Sequence, residues 1–514
     1  MDFVTYQFDS PAQFYAELKD VLDGGGFYDS PESQVGVFIS LIVLYQDEFL
    51  DGSGQDLAQC CYRLFDSNVF QRYMEIITRS IIDRAIQSPE DKDMWITYQV
   101  LIYAGKEFPK VFHWMLKSEF FAKLKYQILK QEGTRMQPLA VNIMYEMCRV
   151  QQLKECDLAL VDEVFLHYLL DLVERTRTDE TETLNYSAIK LLLVFNEQFM
   201  LYMSDRSHYT QVGNKPAYTG NPLLTVLTDR PGLSCTFGEN LIFILNRAEE
   251  TALQMLILKL LYLLFTNPNL YEFFYTNDLH VLVDVVIREL WDLPKEEESL
   301  RHAYLRVMGP LLTNTQLKRA TYKRAEIFRL LRDLGGGDMD STLRRQLYEQ
   351  QLKEDLLEQE RAQHAKVTYR DRLSSSSSTG SNTSLARWAS DRSGCSSPVL
   401  SFEVEHRKRQ LGHSKLSNDS SSSSLKVPGQ EEAEERARYH LSQQQLSQSP
   451  TQEESALIKI EQPEPERKEP QPRATSPTTL RLVERVLREW LDNEMRNGAG
   501  TTGAGLSVRG ITDR

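Results

Sequence analysis

The side chains in this sequence that carry reactive or metal-binding chemistry are nine histidines, six cysteines and 73 carboxylates, and their spacing builds no catalytic motif. Cys60, Cys61, Cys148, Cys156, Cys235 and Cys395 form no C-x-x-C pair, and no two histidines sit at metal-ligand spacing backed by cysteines. His113, beside Trp114 in an apolar helical pattern, reads as a satisfied core residue rather than a ligand. The phosphate-cradling G-x-x-x-x-G-K-[ST], the zinc helix H-E-x-x-H and the nucleophile elbow G-x-S-x-G are all missing. Gly24–Gly26 and Gly335–Gly337 have no strand before them and no Lys-Ser/Thr after them, so they read as loops. The expectation is a protein that is not an enzyme and uses no catalytic residue, cofactor or metal. Scattered, unpaired thiols fit a reducing, cytoplasmic compartment.

Charge offers a different chemistry. Between Leu300 and Arg332 lie Arg301, Arg306, Lys318, Arg319, Lys323, Arg324, Arg329 and Arg332, against the single acid Glu326. The whole chain carries −14, which argues against general binding of nucleic acid or anionic lipid. A local basic face in an acidic protein fits an acidic protein partner. The same residues also fit a solvated surface, or basic stems laid over apolar surface. Thr313, Asn314, Thr315 and Gln316, at the turn between two helices, would enlarge the patch. Further along, Ser397-Pro, Ser449-Pro and Ser476-Pro are minimal proline-directed phosphorylation sites. Ile458-Lys459-Ile460-Glu461 has the form of a SUMO acceptor.

The elements that must position these groups read as helix after helix. Phe65, Val69, Tyr73, Ile76, Ile77, Ile81 and Ile82 follow the spacing of one buried face, as do Leu184, Ile189, Leu192, Leu193 and Phe199. From Thr251 to Phe265 the pattern is apolar nearly all round, which suits a helix in the middle of a stack. Prolines at 31, 89, 109, 138, 216, 222, 231, 268 and 294 cut the region into short helices, and no period-two alternation marks a strand. The longest apolar run, Val35 to Tyr45, falls short of the ~20 residues of a membrane span, and the first residues show no signal peptide. The predicted class is all-α, an armadillo- or HEAT-like α-solenoid over residues 1–334. The interval Ser204 to Asn221 reads as a long loop. Residues 338–372 read as a charged helix that either caps the stack or pairs with another helix. Residues 373–478, rich in Ser, Pro and Glu, are expected to be disordered. A short amphipathic helix over 479–497 carries Leu480, Val483, Leu487, Trp490 and Leu491, either as a docking helix for a partner or folded back on the solenoid. Residues 498–514 read as a disordered end. Nuclear import adaptors share the fold class but need a ladder of Trp and Asn, which Trp95, Trp114, Trp291, Trp388 and Trp490 do not form.

Five stretches together carry a family resemblance: Leu184–Phe199 (LNYSAIKLLLVFNEQF), Asn221–Leu224 (NPLL), Phe237–Arg247 (FGENLIFILNR), Phe273–Leu279 (FFYTNDL) and Tyr304–Leu317 (YLRVMGPLLTNTQL). The region from about Phe3 to Leu334 resembles the leucine-rich domain of the WISH/DIP/SPIN family in its fungal form. The resemblance implies an armadillo-type domain that binds the actin-related protein 2/3 complex and activates it without a preformed filament. The products it implies are linear filaments that seed actin assembly at cortical endocytic patches. The contact residues expected from this sequence for such a partner are the basic patch with its turn and a second turn at Asn196, Glu197 and Gln198. Animal relatives carry an SH3 domain and some yeast relatives carry proline-rich SH3 ligands. Here Pro463, Pro465, Pro470, Pro472 and Pro477 make no strict P-x-x-P, which puts recruitment through an SH3 partner in doubt. The tail is a candidate site for endocytic coat or actin-patch adaptors. A passive scaffold that nucleates nothing is the alternative function.

Overall fold

Seventeen helices can be followed from the N-terminal side before the chain reaches its charged stretch: α1 (Pro11–Asp23), α2 (Pro31–Phe49), α3 (Gln55–Asp66), α4 (Asn68–Gln87), α5 (Asp91–Glu107), α6 (Lys110–Lys117), α7 (Phe120–Lys130), α8 (Met136–Val150), α9 (Glu155–Leu158), α10 (Glu163–Arg175), α11 (Thr183–Ser207), α12 (Pro222–Thr228), α13 (Cys235–Arg247), α14 (Thr251–Thr266), α15 (Thr276–Asp292), α16 (Glu298–Asn314) and α17 (Arg324–Gly335). Among the described residues a further long helix, α18 (Pro477–Ala499), lies near the C-terminal end. The computed structural model describes residues 8–352, except 25, 51–53, 90, 131, 178–182, 208–219, 320–321, 337–338, 347 and 350–351, together with residues 476–499. All of these belong to the unit formed by residues 1–366 and 471–514. Among the described residues there is no strand, and no helix is long and apolar enough to cross a membrane.

The fold is an all-α solenoid with two rows of helices. In one row α2, α5, α8, α11, α14 and α16 pack one against the next, and α18 follows α16. In the other, α4 lies against α7, and α10, α13, α15 and α17 follow one another. Each helix buries its apolar stripe against the next repeat, so the core runs as one continuous cluster from Phe14 to Leu491. Local chemistry sets the helix starts. Ser10 and Ser30 each precede a proline and accept a backbone N–H three residues on, and Asn221 caps α12 ahead of Pro222. The ends of several helices are closed by buried amides from a neighbouring helix. Gln34 donates to Val21 O and Leu22 O of α1, Gln137 to Ile128 O of α7, and Asn185 to Val173 O of α10.

Several sequence expectations change in detail. The stripe from Phe65 to Ile82 is two helices, because Ser67 takes an extended backbone and caps α4. Ile76, expected on the buried face, is half exposed. His113 is exposed on α6 rather than a core residue. The loop expected at Ser204 is still helix through Ser207; residues 208–219 lie outside the described residues. Beyond Gly335, Met339 and Leu343 are buried against the end of the stack, while most of the expected charged helix lies outside the described residues, as does the Ser/Pro/Glu-rich stretch up to residue 475.

Candidate functional site

The basic residues of the C-terminal repeats sit on α16, on a 3-10 turn at Gln316–Arg319 and on α17. The structure sorts them into cations already engaged and cations left open. Arg301 donates to Leu293 O at 2.9 Å and Pro294 O at 2.8 Å, tying the α15–α16 turn. Lys323, which takes a left-handed backbone at φ 45°, pairs with Asp284 at 3.1 Å and Glu326 at 3.3 Å. Its neighbour Tyr322 stacks on His280 at 4.0 Å and donates to the same Asp284, and burial with that carboxylate pushes the phenol up to about 12. Arg324 lies over the Trp490 ring at 5.8 Å, and Arg332 pairs with Asp333. Arg306, Lys318 and Arg319 are exposed and make no ion pair among the described residues. Arg329 is exposed on α17 but is not without a partner, so of the eight expected cations three are left open.

The polar residues of the turn are occupied too. Thr313 Oγ1 donates to Gly309 O at 3.0 Å. Asn314 closes α14 by donating to Phe265 O at 2.9 Å, and Gln316 donates to Phe274 O at 3.0 Å. Thr315, read as exposed from sequence, is buried. Beside them runs a cleft of about 470 Å³, bounded by Thr313, Asn314 and Lys318 on the solenoid and by Glu489, Asp492 and Asn493 on α18. Of the two readings of the C-terminal helix, docked on a partner or folded back on the solenoid, the structure has the second. The amphipathic spacing of α18 was visible, but nothing in it named the seat.

The second expected contact region is corrected outright. Asn196, Glu197 and Gln198 lie within α11, not on a turn, and Asn196 and Gln198 are buried. Asn221 Nδ2 donates to Asn196 Oδ1 at 2.7 Å. Gln198 Nε2 donates to Cys148 O at 2.7 Å and Gln151 O at 2.9 Å, and its carbonyl accepts from Leu153 N at 2.8 Å. Glu197 holds Lys259 at 2.6 Å, joining α11 to α14. Asn196 and Gln198 join neighbouring helices inside the stack and offer no face to a partner, while Glu197 is half-buried in its pair with Lys259.

Of the serines, Ser397 and Ser449 lie outside the described residues. Ser476 is the N-cap of α18, its Oγ accepting from Thr479 N at 3.2 Å. No group of three His, Cys, Asp or Glu side chains able to hold a metal occurs among the described residues. Cys60, Cys61 and Cys148 are buried free thiols, and burial pushes Cys60 up to about 11 and the other two higher.

Residues 181–327, spanning α11 to the start of α17, match the family described as SPIN90/Ldb17, leucine-rich domain. The chain is 32% identical over 328 residues to Protein dip1 of Schizosaccharomyces pombe, an alignment that covers 61% of this chain and 84% of that protein. It is 36% identical over 208 residues to Protein LDB17 of Saccharomyces cerevisiae, covering 40% of this chain and 38% of that protein. Protein LDB17 of Eremothecium gossypii is 28% identical over 206 residues, covering 40% of this chain and 42% of that protein. An alignment spanning most of dip1, together with a leucine-rich match over the helices that carry the open cations, places the chain in the SPIN90/Ldb17 family.

Proposed function

We propose that this chain is a non-enzymatic activator of the actin-related protein 2/3 complex. On this reading it nucleates linear filaments without a preformed one and seeds actin assembly at cortical endocytic patches in the cytoplasm. The observation that supports it is the family match over residues 181–327, which coincides with the helices ending in the open cations of α16 and the 3-10 turn. The physics is population shift. A nucleation complex resting in an inactive arrangement moves toward the active one when a ligand binds that form more tightly. A rigid two-row stack suits this work, since its edge spans several repeats and a standard interface of ~1,600 Å² needs only two or three. The tail is proposed to recruit patch adaptors.

The test is fluorescent actin assembly with the full-length chain and purified complex, without filaments or other activators. Acceleration that requires the complex supports the reading. No acceleration at saturating chain would leave a passive scaffold as the function.

A further inference from the structure

α18 occupies the slot that the next helix of its row would fill. It lies against α16, with α17 flanking it. Val483, Val486, Leu487, Trp490 and Leu491 are buried there, and Trp490 stacks on Phe328 at 4.5 Å with the rings 18° apart. We infer that this slot is a helix-binding groove, that its ligand is the chain's own C-terminal helix, and that α18 is a releasable latch beside the edge holding Asn314 and Lys318. The inference rests on the reading above, in which that edge meets the partner.

The first support is connectivity. Successive helices from α1 to α17 are joined by connections far shorter than residues 353–475, which separate the first described region from α18. A connection of that length leaves the contacts of the seat itself, rather than a short covalent link, to hold α18 in place. The second is that α18 carries its own support when released. Arg485–Glu489 at 2.9 Å and Arg488–Glu484 at 3.4 Å pair one turn apart, and Ser476 caps the start. The third is the fit of the seat. A Cβ at Gly309 would stand 3.1 Å from Glu489 Oε2 and 3.8 Å from Val486 Cγ2, so α18 comes close to α16 there and an added Cβ would make the Glu489 carboxylate give way by a few tenths of an ångström. The last is the shared wall. Asn493 Nδ2 donates to Thr313 O at 3.3 Å, and Lys318 lines one cleft with Glu489 and Asp492. A partner engaging Lys318 from this cleft also meets Glu489 and Asp492 of α18.

The test starts from the full-length chain with a protease site placed within residues 353–475. After cutting, the C-terminal fragment is expected to co-elute with the solenoid at high concentration and to leave on dilution. A synthetic 476–499 peptide should rebind, and its Trp490→Ala form should bind at least about tenfold more weakly. A fragment held through nanomolar dilution, or a solenoid that precipitates once cut, would make α18 a fixed part of the core and overturn the latch. In uncut full-length chain, Val486→Asp with Leu487→Asp is expected to bind the purified complex about tenfold more tightly than wild type, since the competing helix is removed. Equal binding by the two chains overturns the regulatory role. If neither binds, the proposed function falls and the regulatory role with it, while the cut chain still decides whether the groove releases its helix.

Discussion

Gln198 shows how a residue that looks like a surface contact becomes part of the frame. An α-helix leaves its last carbonyls without partners, and in a stack those ends are covered by the next repeat, where water cannot reach them. Gln198 meets the end of α8 with its Nε2 on Cys148 O and Gln151 O. Gln34, Gln137, Asn185 and Asn314 do the same for α1, α7, α10 and α14. Truncating Gln198 to Ala strips three hydrogen bonds and leaves buried backbone groups unpaired, at a cost of about 2–4 kcal/mol. The chain is therefore expected to unfold at lower denaturant while the exposed edge at Lys318 keeps its partner affinity. An unchanged denaturation midpoint would show that the amide does not hold α8 to α11. Periodicity hid this role, because an apolar-stripe rule assigns every Asn and Gln to the solvent side. What it placed well were Leu184, Ile189, Leu192, Leu193 and Phe199, whose burial follows directly from their spacing.

α18 was legible as an amphipathic helix, but the place where its apolar face lands depends on a groove built from α16 and α17, more than a hundred positions away. Where the start of α18 meets α16, it faces a titratable group, His302 of α16. His302 Nε2 lies 2.9 Å from Thr479 Oγ1, and Glu298 Oε1 is 3.5 Å from both. Burial pushes the imidazole below its ordinary value of 6.5; Glu298 draws it partly back, while Arg306 and Arg301 push it further down. A histidine held below its unfolded value binds its proton more readily in the open chain. Its contribution is thus complete above 6.5 and is lost as the pH falls through the lower folded value. Protection of the α18 amides, corrected for intrinsic exchange, should hold from pH 8 to about pH 7 and decline toward about pH 5. His302→Gln should flatten that decline. A decline that persists in the variant would assign the pH response to another group.

Across the whole molecule, charge and packing divide the work along the stack. The repeats from α1 to α15 are joined by buried stripes and amide ties, and several cations there are committed to a neighbouring helix, as Arg84 is to Asp93 and Arg230 to Asp171. The class of fold was readable because every repeat obeys the helical period. The order of helices in each row was not, since no local signal records which repeat covers which. The same limit inflated the basic patch: eight cations counted along the chain say nothing of the acids folded against them. Lys323 belongs to the frame through Asp284 and Glu326, whereas Arg306, Lys318 and Arg319 face solvent. Open charges at a rim act on encounter and specificity, are screened by salt, and add little to folding stability. Reversing Arg306, Lys318 and Arg319 to Glu together should weaken binding to the purified complex by about ten- to a hundredfold and lessen its salt dependence. Helical content should stay as in wild type, with α18 held less firmly where residue 318 shares a cleft with Glu489 and Asp492. Lys323→Glu, in contrast, puts a third carboxylate beside two others and should lower stability. Wild-type affinity in the triple variant would move the partner's contact away from this end of the solenoid and onto the repeats before it.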